Sequence, residues 1–211
     1  MSRGRFITIE GGEGAGKSTQ VALLADALGR RGLDVTTTRE PGGTPIAEAL
    51  RGLLLRPREP EFLPLTEALL HWAARTDHWH RLIRPALDRD QWVVCDRFAD
   101  STLAYQGHGL GAGLDQLVAL HRIALGAVKP DVTVILDLPV SEGLARARTR
   151  ARADRYEAMD AGFHERLRQG FLAIARAEPE RCAVVDATAP PASVHERILA
   201  EVLRRTAMDR P

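Results

Sequence analysis

Phe6-Ile7-Thr8-Ile9-Glu10-Gly11-Gly12-Glu13-Gly14-Ala15-Gly16-Lys17-Ser18-Thr19 is the stretch on which the reading of this fold turns. A short apolar run ends in glycines, and Gly11 to Ser18 fit G-x-x-x-x-G-K-[ST], the phosphate-binding loop that joins a strand to a helix. Each residue type has a physical reason. Glycines let backbone N–H groups converge on phosphate oxygens, and the helix N-terminus adds partial positive charge. Lys17 reaches the β and γ oxygens, and Ser18 ligates Mg²⁺. The chain has only two lysines, Lys17 and Lys129, and one of them occupies the one position where this loop requires a lysine. ATP with Mg²⁺ is the ligand implied.

Outward from this loop, brief β-rich runs alternate with helical stretches. Arg5–Ile9, Asp34–Thr38, Gln91–Cys95, Asp131–Asp137 and Arg181–Val185 read as buried strands. Lys17–Arg31, Ile46–Leu55, Leu65–Leu87, Leu114–Leu125, Val140–Ala151, Phe163–Ala177 and Ala192–Arg205 read as helices. The alternation predicts an α/β fold: a doubly wound, five-stranded parallel sheet with helices on both faces and ligands beyond the carboxyl ends of the strands. Glu40–Pro45, Gly107–Gly113 and the arginine-rich Arg146–Arg155 read as mobile, the last as part of a lid over about 146–157. No internal repeat or linker interrupts the pattern, and 211 residues read as one domain, 1–211.

Composition narrows the function. With 29 Lys+Arg against 28 Asp+Glu the formal charge is +1, so no overall basic field is offered to nucleic acid or to a membrane surface. Two cysteines, Cys95 and Cys182, sit beside apolar runs and argue against a disulfide framework or a zinc cluster. The apolar run behind Arg3 and Arg5 is too short for a signal or a membrane span, and a cytoplasmic protein is expected. There is no asparagine, so the Asn-Lys-x-Asp guanine reader of regulatory GTPases is absent. An ATP-driven binding or motor protein would need a carboxylate at a strand end, and Asp96 or Asp137 could supply it. Phosphoryl transfer is favoured because Arg39 and Arg97 follow the second and third strands, where a second phosphate could be held.

Thr38-Arg39-Glu40-Pro41-Gly42-Gly43-Thr44, Trp72-Ala73-Ala74-Arg75, Asp96-Arg97-Phe98 through Ser101-Thr102 to Ala104-Tyr105-Gln106-Gly107, Asp154-Arg155-Tyr156-Glu157 and Asp186-Ala187-Thr188 follow the phosphate loop in order. In these motifs, from Phe6 to Pro190, the chain resembles the thymidylate kinases of the bacterial type, which are P-loop nucleoside monophosphate kinases. The resemblance implies ATP + dTMP → ADP + dTDP with Mg²⁺, in a homodimer. It implies that Gly11, Gly12, Glu13, Gly14, Ala15, Gly16, Lys17, Ser18 and Thr19 hold ATP, with Arg146 and Ala187 beside the adenosine. Ser18 and Asp96 would face the metal. On the acceptor side it implies Glu13 at the sugar 3′-hydroxyl, Arg39 and Arg97 on the 5′-phosphate, and Ser101, Thr102, Tyr105 and Gln106 along the nucleoside, with the Tyr105 ring crowding C2′. The alternatives are a kinase for another deoxynucleoside monophosphate and a non-catalytic ATP-binding switch.

One feature departs from the family pattern. Such kinases place a phenylalanine four residues before the arginine at position 75 to stack on thymine; this chain has His71, with Trp72 next to it. At about 100° per residue, Leu65, Ala68, Leu69, Trp72, Trp79 and Ile83 share one stripe and read as core, whereas His71 and Arg75 share the adjoining face and could meet one base. His71 as plain polar filling is the other reading. Gly12–Ala15 carries no arginine, and the bacterial-type members that the chain resembles supply the catalytic guanidinium from a closing lid; the resemblance thus implies the run Arg146, Arg148, Arg150, Arg152 and Arg155, with Arg150 first, although a solvated helix end is the ordinary meaning of such a run.

Overall fold

The computed structural model describes residues 4–56, 60–148 and 155–207. In chain order it contains β1 Phe6–Gly11, α1 Lys17–Gly29, β2 Val35–Arg39, α2 Pro45–Leu55 and α3 Pro64–His78. α3 runs on through a π-helical turn, Trp79–Ile83, into α4 Arg84–Leu87. Then come β3 Trp92–Asp96, α5 Ala99–Thr102 continuing as a π-helical segment Leu103–Gly109, α6 Leu114–Leu125, β4 Val132–Asp137, α7 Val140–Arg148, α8 Ala161–Ala177, β5 Cys182–Asp186 and α9 Pro191–Arg205.

Among the described residues five strands form one sheet in the order β2-β3-β1-β4-β5, parallel throughout. Period-two alternation sends β1 to both faces. Ile7 and Ile9 join Val21, Leu24 and Leu28 of α1 and Val194, Ile198 and Val202 of α9 on one side. Phe6 packs on the other with Trp72, Ile83 and Phe98, and Ile135 of β4 meets Phe163, Leu167 and Phe171 of α8. Thr8 on that second face bonds Thr133 across the strands at 2.9 Å, so neither hydroxyl is buried unpaired. The doubly wound α/β architecture expected from the alternation is the one observed, each strand lying within two residues of its expected range.

The departures have physical causes. Leu65 and Leu69, expected in the core stripe of α3, are 41% and 47% exposed, while Trp72 and Ile83 are buried as expected. α3 buries Glu67, Ala68, His71, Trp72, Ala74, Arg75 and His78, so its inner face is centred on polar site residues, and the leucines fall on its outer flank. The alternation supplied no element between Asp96 and Leu114, yet Ala99–Gly109 is helical and almost wholly buried. The glycines of Gly107–Gly113 are therefore no loose loop at their start: Gly107 and Gly109 are packed, and a Cβ on Gly109 would stand 2.6 Å from the Phe163 ring. Glu40–Pro45 is likewise anchored, because Glu40 is buried and accepts from Arg75 at 2.6 Å and pairs with His78 at 3.0 Å. Half of the expected lid, 149–154 with Arg150 and Arg152, lies outside the described residues.

Overfilling a packed site costs ~1–3 kcal/mol. Gly109→Ala should therefore lower the free energy of unfolding by about that amount in urea denaturation. An unchanged midpoint would show that the Gly109–Phe163 contact is not tight.

Candidate active site

The loop after β1 folds back over the N-terminus of α1. Gly16 caps that helix at φ 89°, a conformation open to glycine without strain. Gly14, at φ 69°, lies so close to the Gly143 backbone of α7 that no side chain fits between them. Lys17 is buried and donates to the carbonyls of Gly12 at 2.7 Å and Gly11 at 3.2 Å. Burial, with Arg97 nearby, pulls its pKa down to about 8 against the opposing charges of Glu13 and Asp96. Ser18 donates to Asp96 Oδ2 at 2.6 Å.

A cavity of about 1040 Å³ opens over this loop, lined by Glu13, Gly14, Gly16, Lys17, Ser18, Thr19, Arg39, Asp96, Arg146 and Glu157 together with Glu40, Arg51 and Arg97. Gly11, Gly12 and Ala15 are not among its walls: the first two give their carbonyls to Lys17, and Ala15 packs into the core. Arg146 donates to the Ala187 and Thr188 carbonyls at 3.0 and 3.3 Å, which joins the expected adenosine residues. The Ala187 side chain itself is buried in the core and is not among the walls of this cavity.

A second cavity of about 470 Å³ adjoins the first and shares Glu13, Glu40, Arg51 and Arg97 with it. His71, Arg75, Ser101, Thr102, Tyr105 and Gln106 line it, as does Tyr156. Arg39 belongs to the first cavity and not to this one, and it pairs with Glu48 at 3.1 Å. Arg75, 2% exposed, has each of its nitrogens engaged: Nε on Glu40 at 2.6 Å, Nη1 on Thr102 at 3.0 Å and Nη2 on the Phe98 carbonyl at 3.0 Å. Its guanidinium also lies 4.4 Å from the Trp72 ring centre. Five N–H groups meeting three partners leave donors for a base carbonyl.

His71 is buried, and burial with the charges of Arg75 and Arg155 pushes its pKa down to about 3, so the ring is neutral. Its Nε2 lies 3.3 Å from the Tyr156 hydroxyl, whose one proton goes to Glu67 at 2.6 Å. The Tyr156 oxygen is therefore the acceptor and His71 carries its proton on Nε2. Glu13 pairs with Arg97 at 3.2 Å and accepts from Tyr105 at 2.5 Å. Asp96 takes the Ser18 hydroxyl. Among the described residues no group of three or more His, Cys, Asp or Glu side chains is arranged to hold a metal. Ser18 and Asp96 offer hard oxygens, and a Mg²⁺ ion there fits as one completed by phosphate and water.

The model of the family described as thymidylate kinase matches residues 9–198. A thymidylate kinase of Caulobacter vibrioides is 53% identical over 205 residues, covering 97% of this chain and 99% of that one. One of Alkalilimnicola ehrlichii is 53% identical over 90% of this chain and 88% of its own. The crystal structure of thymidylate kinase from Ehrlichia chaffeensis superposes with a TM-score of 0.76 at 35% identity, over 94% of this chain and 98% of that one. The chain belongs to the thymidylate kinase family.

In this thymidylate kinase family member the sequence reading brings its nucleoside residues into one cavity and Glu13, Gly14, Gly16, Lys17, Ser18 and Thr19 of the loop into the other, but not Gly11, Gly12 or Ala15. It missed Glu40, Arg51, Glu67 and Tyr156. Glu40 and Tyr156 stand inside quoted motifs and could have been found there; Arg51 and Glu67 carry no local signal.

Lys17 yields a pH prediction. Bound phosphate favours the charged amine, so deprotonation in the empty protein opposes ATP capture. kcat/KM for ATP should fall as pH rises through about 8, while kcat holds to higher pH because bound phosphates raise the Lys17 pKa. A kcat/KM profile flat to pH 9.5 contradicts this.

Proposed function

We infer that this protein transfers the γ-phosphoryl group of ATP to dTMP, giving ADP and dTDP. The observation that carries the reading is the pair of adjoining cavities, one built on the phosphate loop and one on Arg75, Thr102 and Tyr105, sharing Glu13, Arg51 and Arg97. ATP lies over Lys17, Ser18 and Thr19 with its adenosine toward Arg146, and dTMP lies in the smaller cavity with its phosphate at the shared boundary, on Arg97 and toward Arg39 of the larger cavity. Ser18 and Asp96 would hold Mg²⁺, which would supply charge neutralisation for the transferring phosphoryl group. The acceptor phosphate has a second pKa of about 6 and is largely dianionic at pH 7, so the protein needs no strong base. Its work is positioning and charge.

Arg75 donates to the thymine O4, with the neutral His71 ring beside the base in place of the family's phenyl. Tyr105, held by Glu13 and Arg97, closes the space at C2′. The phosphate loop has no arginine of its own, so the guanidinium for the transition state comes from the run that begins at Arg146, with Arg150 as the chosen residue. Exposed Ile46, Leu53, Leu65 and Leu69 on α2 and α3 form an apolar flank that supports a homodimer. The protein acts in the cytoplasm, where its free Cys95 and Cys182 thiols stay reduced. Among the described residues no helix is long and apolar enough to cross a membrane.

A coupled assay with ATP and a panel of nucleoside monophosphates tests the reading. dTMP should give the highest kcat/KM, with UMP at least ~10²-fold poorer; another acceptor outperforming dTMP would overturn the substrate assignment, and no transfer at all would leave an ATP-binding switch. In the same assay Arg150→Ala should lose at least ~10² in kcat with both dissociation constants little changed.

A further inference from the structure

Glu67 belongs to no motif and lines neither cavity, yet it is a fully buried carboxylate in the first turn of α3. Its Oε1 accepts from the Tyr156 hydroxyl at 2.6 Å and from Gln106 Nε2 at 2.7 Å, and its Oε2 pairs with Arg155. The four side chains come from α3, from the π-helical segment after α5, and from Arg155 at the end of the arginine-rich run and Tyr156 next to it. Each is nine-tenths buried or more. Burying such a carboxylate is costly unless donors surround it, and apolar filling would ordinarily stabilise the position as well.

What the cluster holds gives that cost a use. Gln106 and Tyr156 line the nucleoside cavity, and Tyr156 touches the Tyr105 ring at 5.0 Å between centres. The next residue, Glu157, lines the cavity over the phosphate loop. Consecutive residues 155, 156 and 157 thus address Glu67, the acceptor cavity and the donor cavity in turn. A ligand pressing on Tyr156 or Gln106 bears on the same carboxylate that fixes the backbone carrying Glu157.

We propose that Glu67 is a positioning residue that couples the two nucleotide sites, by holding residues 155–157 in the one placement that serves both cavities. The proposal rests on the assignment of dTMP and ATP to those cavities. Coupling is reciprocal: each nucleotide tightens the other by the same factor, and such factors typically run from about 5 to 150.

Isothermal titration of dTMP and of the non-hydrolysable β,γ-imido analogue of ATP, each alone and with the other saturating, measures that factor. The parent should show at least about fivefold tightening. E67Q turns an amide N–H toward donors that need an acceptor, and should reduce the factor to below about twofold while affinity for the ATP analogue alone stays within about twofold. Arg155→Gln, which loses the same ion pair from the other side, should do likewise and decides the matter if E67Q fails to fold by circular dichroism. A folded E67Q with the parent's factor, or a parent with none, overturns the proposal. A parent that binds no dTMP in either state fails earlier, at the substrate assignment.

Discussion

The guanidinium of Arg97 ties the two halves of this site together. Its Nη1 donates to the Gly11 carbonyl at 3.0 Å and to Ser101 at 3.2 Å, and its Nη2 to Tyr105 at 2.7 Å and Glu13 at 3.2 Å. The phosphate loop, the helix after β3 and the nucleoside wall therefore share one planar fork. The backbone bears the consequence: Arg97 sits at φ 72°, a left-handed conformation that costs a non-glycine residue about 1–2 kcal/mol. It is held there because its N–H donates to the Ile9 carbonyl at 3.1 Å, and the next N–H, of Phe98, donates to Glu10 at 2.7 Å.

Beneath that fork lies a layer of buried carboxyl groups that an ordinary core would not tolerate. Glu10 is fully buried, and burial with the neighbouring Asp100 raises its pKa to about 8, opposed by the Ser101 hydroxyl at 2.5 Å. Glu40 lies between Arg75 and His78, and His78 in turn meets Thr38 of β2 at 2.7 Å. Asp100 is held by Arg181 at 2.7 Å. Each carboxylate is matched to a partner from a different element, so these interactions specify where the strand ends stand relative to α3 as well as offsetting desolvation. Rigid placement at the carboxyl edge of the sheet is what a kinase that works by positioning and charge requires.

This arrangement explains which parts of the molecule could be read from sequence. Strands such as Val132–Asp137 announce themselves through short apolar runs, and the phosphate loop through a spacing fixed by phosphate geometry. α3 misled because the period-3.6 rule assigns apolar residues inward, whereas its inner face is built of Glu67, His71, Arg75 and His78. The helix over Ala99–Gly109 was illegible because its packing rests on Gly107 and Gly109, residues that read as loop unless one knows that Phe163 and Leu114 press against them. Arg51 and Glu67 act through partners 10 and 88 residues away, at Pro41 and Arg155, and no local pattern encodes such distances. The left-handed Arg97 was equally hidden: the motif names the residue and says nothing of its backbone.

Arg97→Lys tests the central claim most directly, since it keeps the positive charge and removes the fork. If four-way bridging by a planar guanidinium organises the site, the variant should fold normally by circular dichroism, yet lose at least ~10²-fold in kcat/KM for dTMP, a cost set by geometry. A folded Arg97→Lys variant within threefold of the parent would mean that charge alone suffices and that the fork is not what the site depends on.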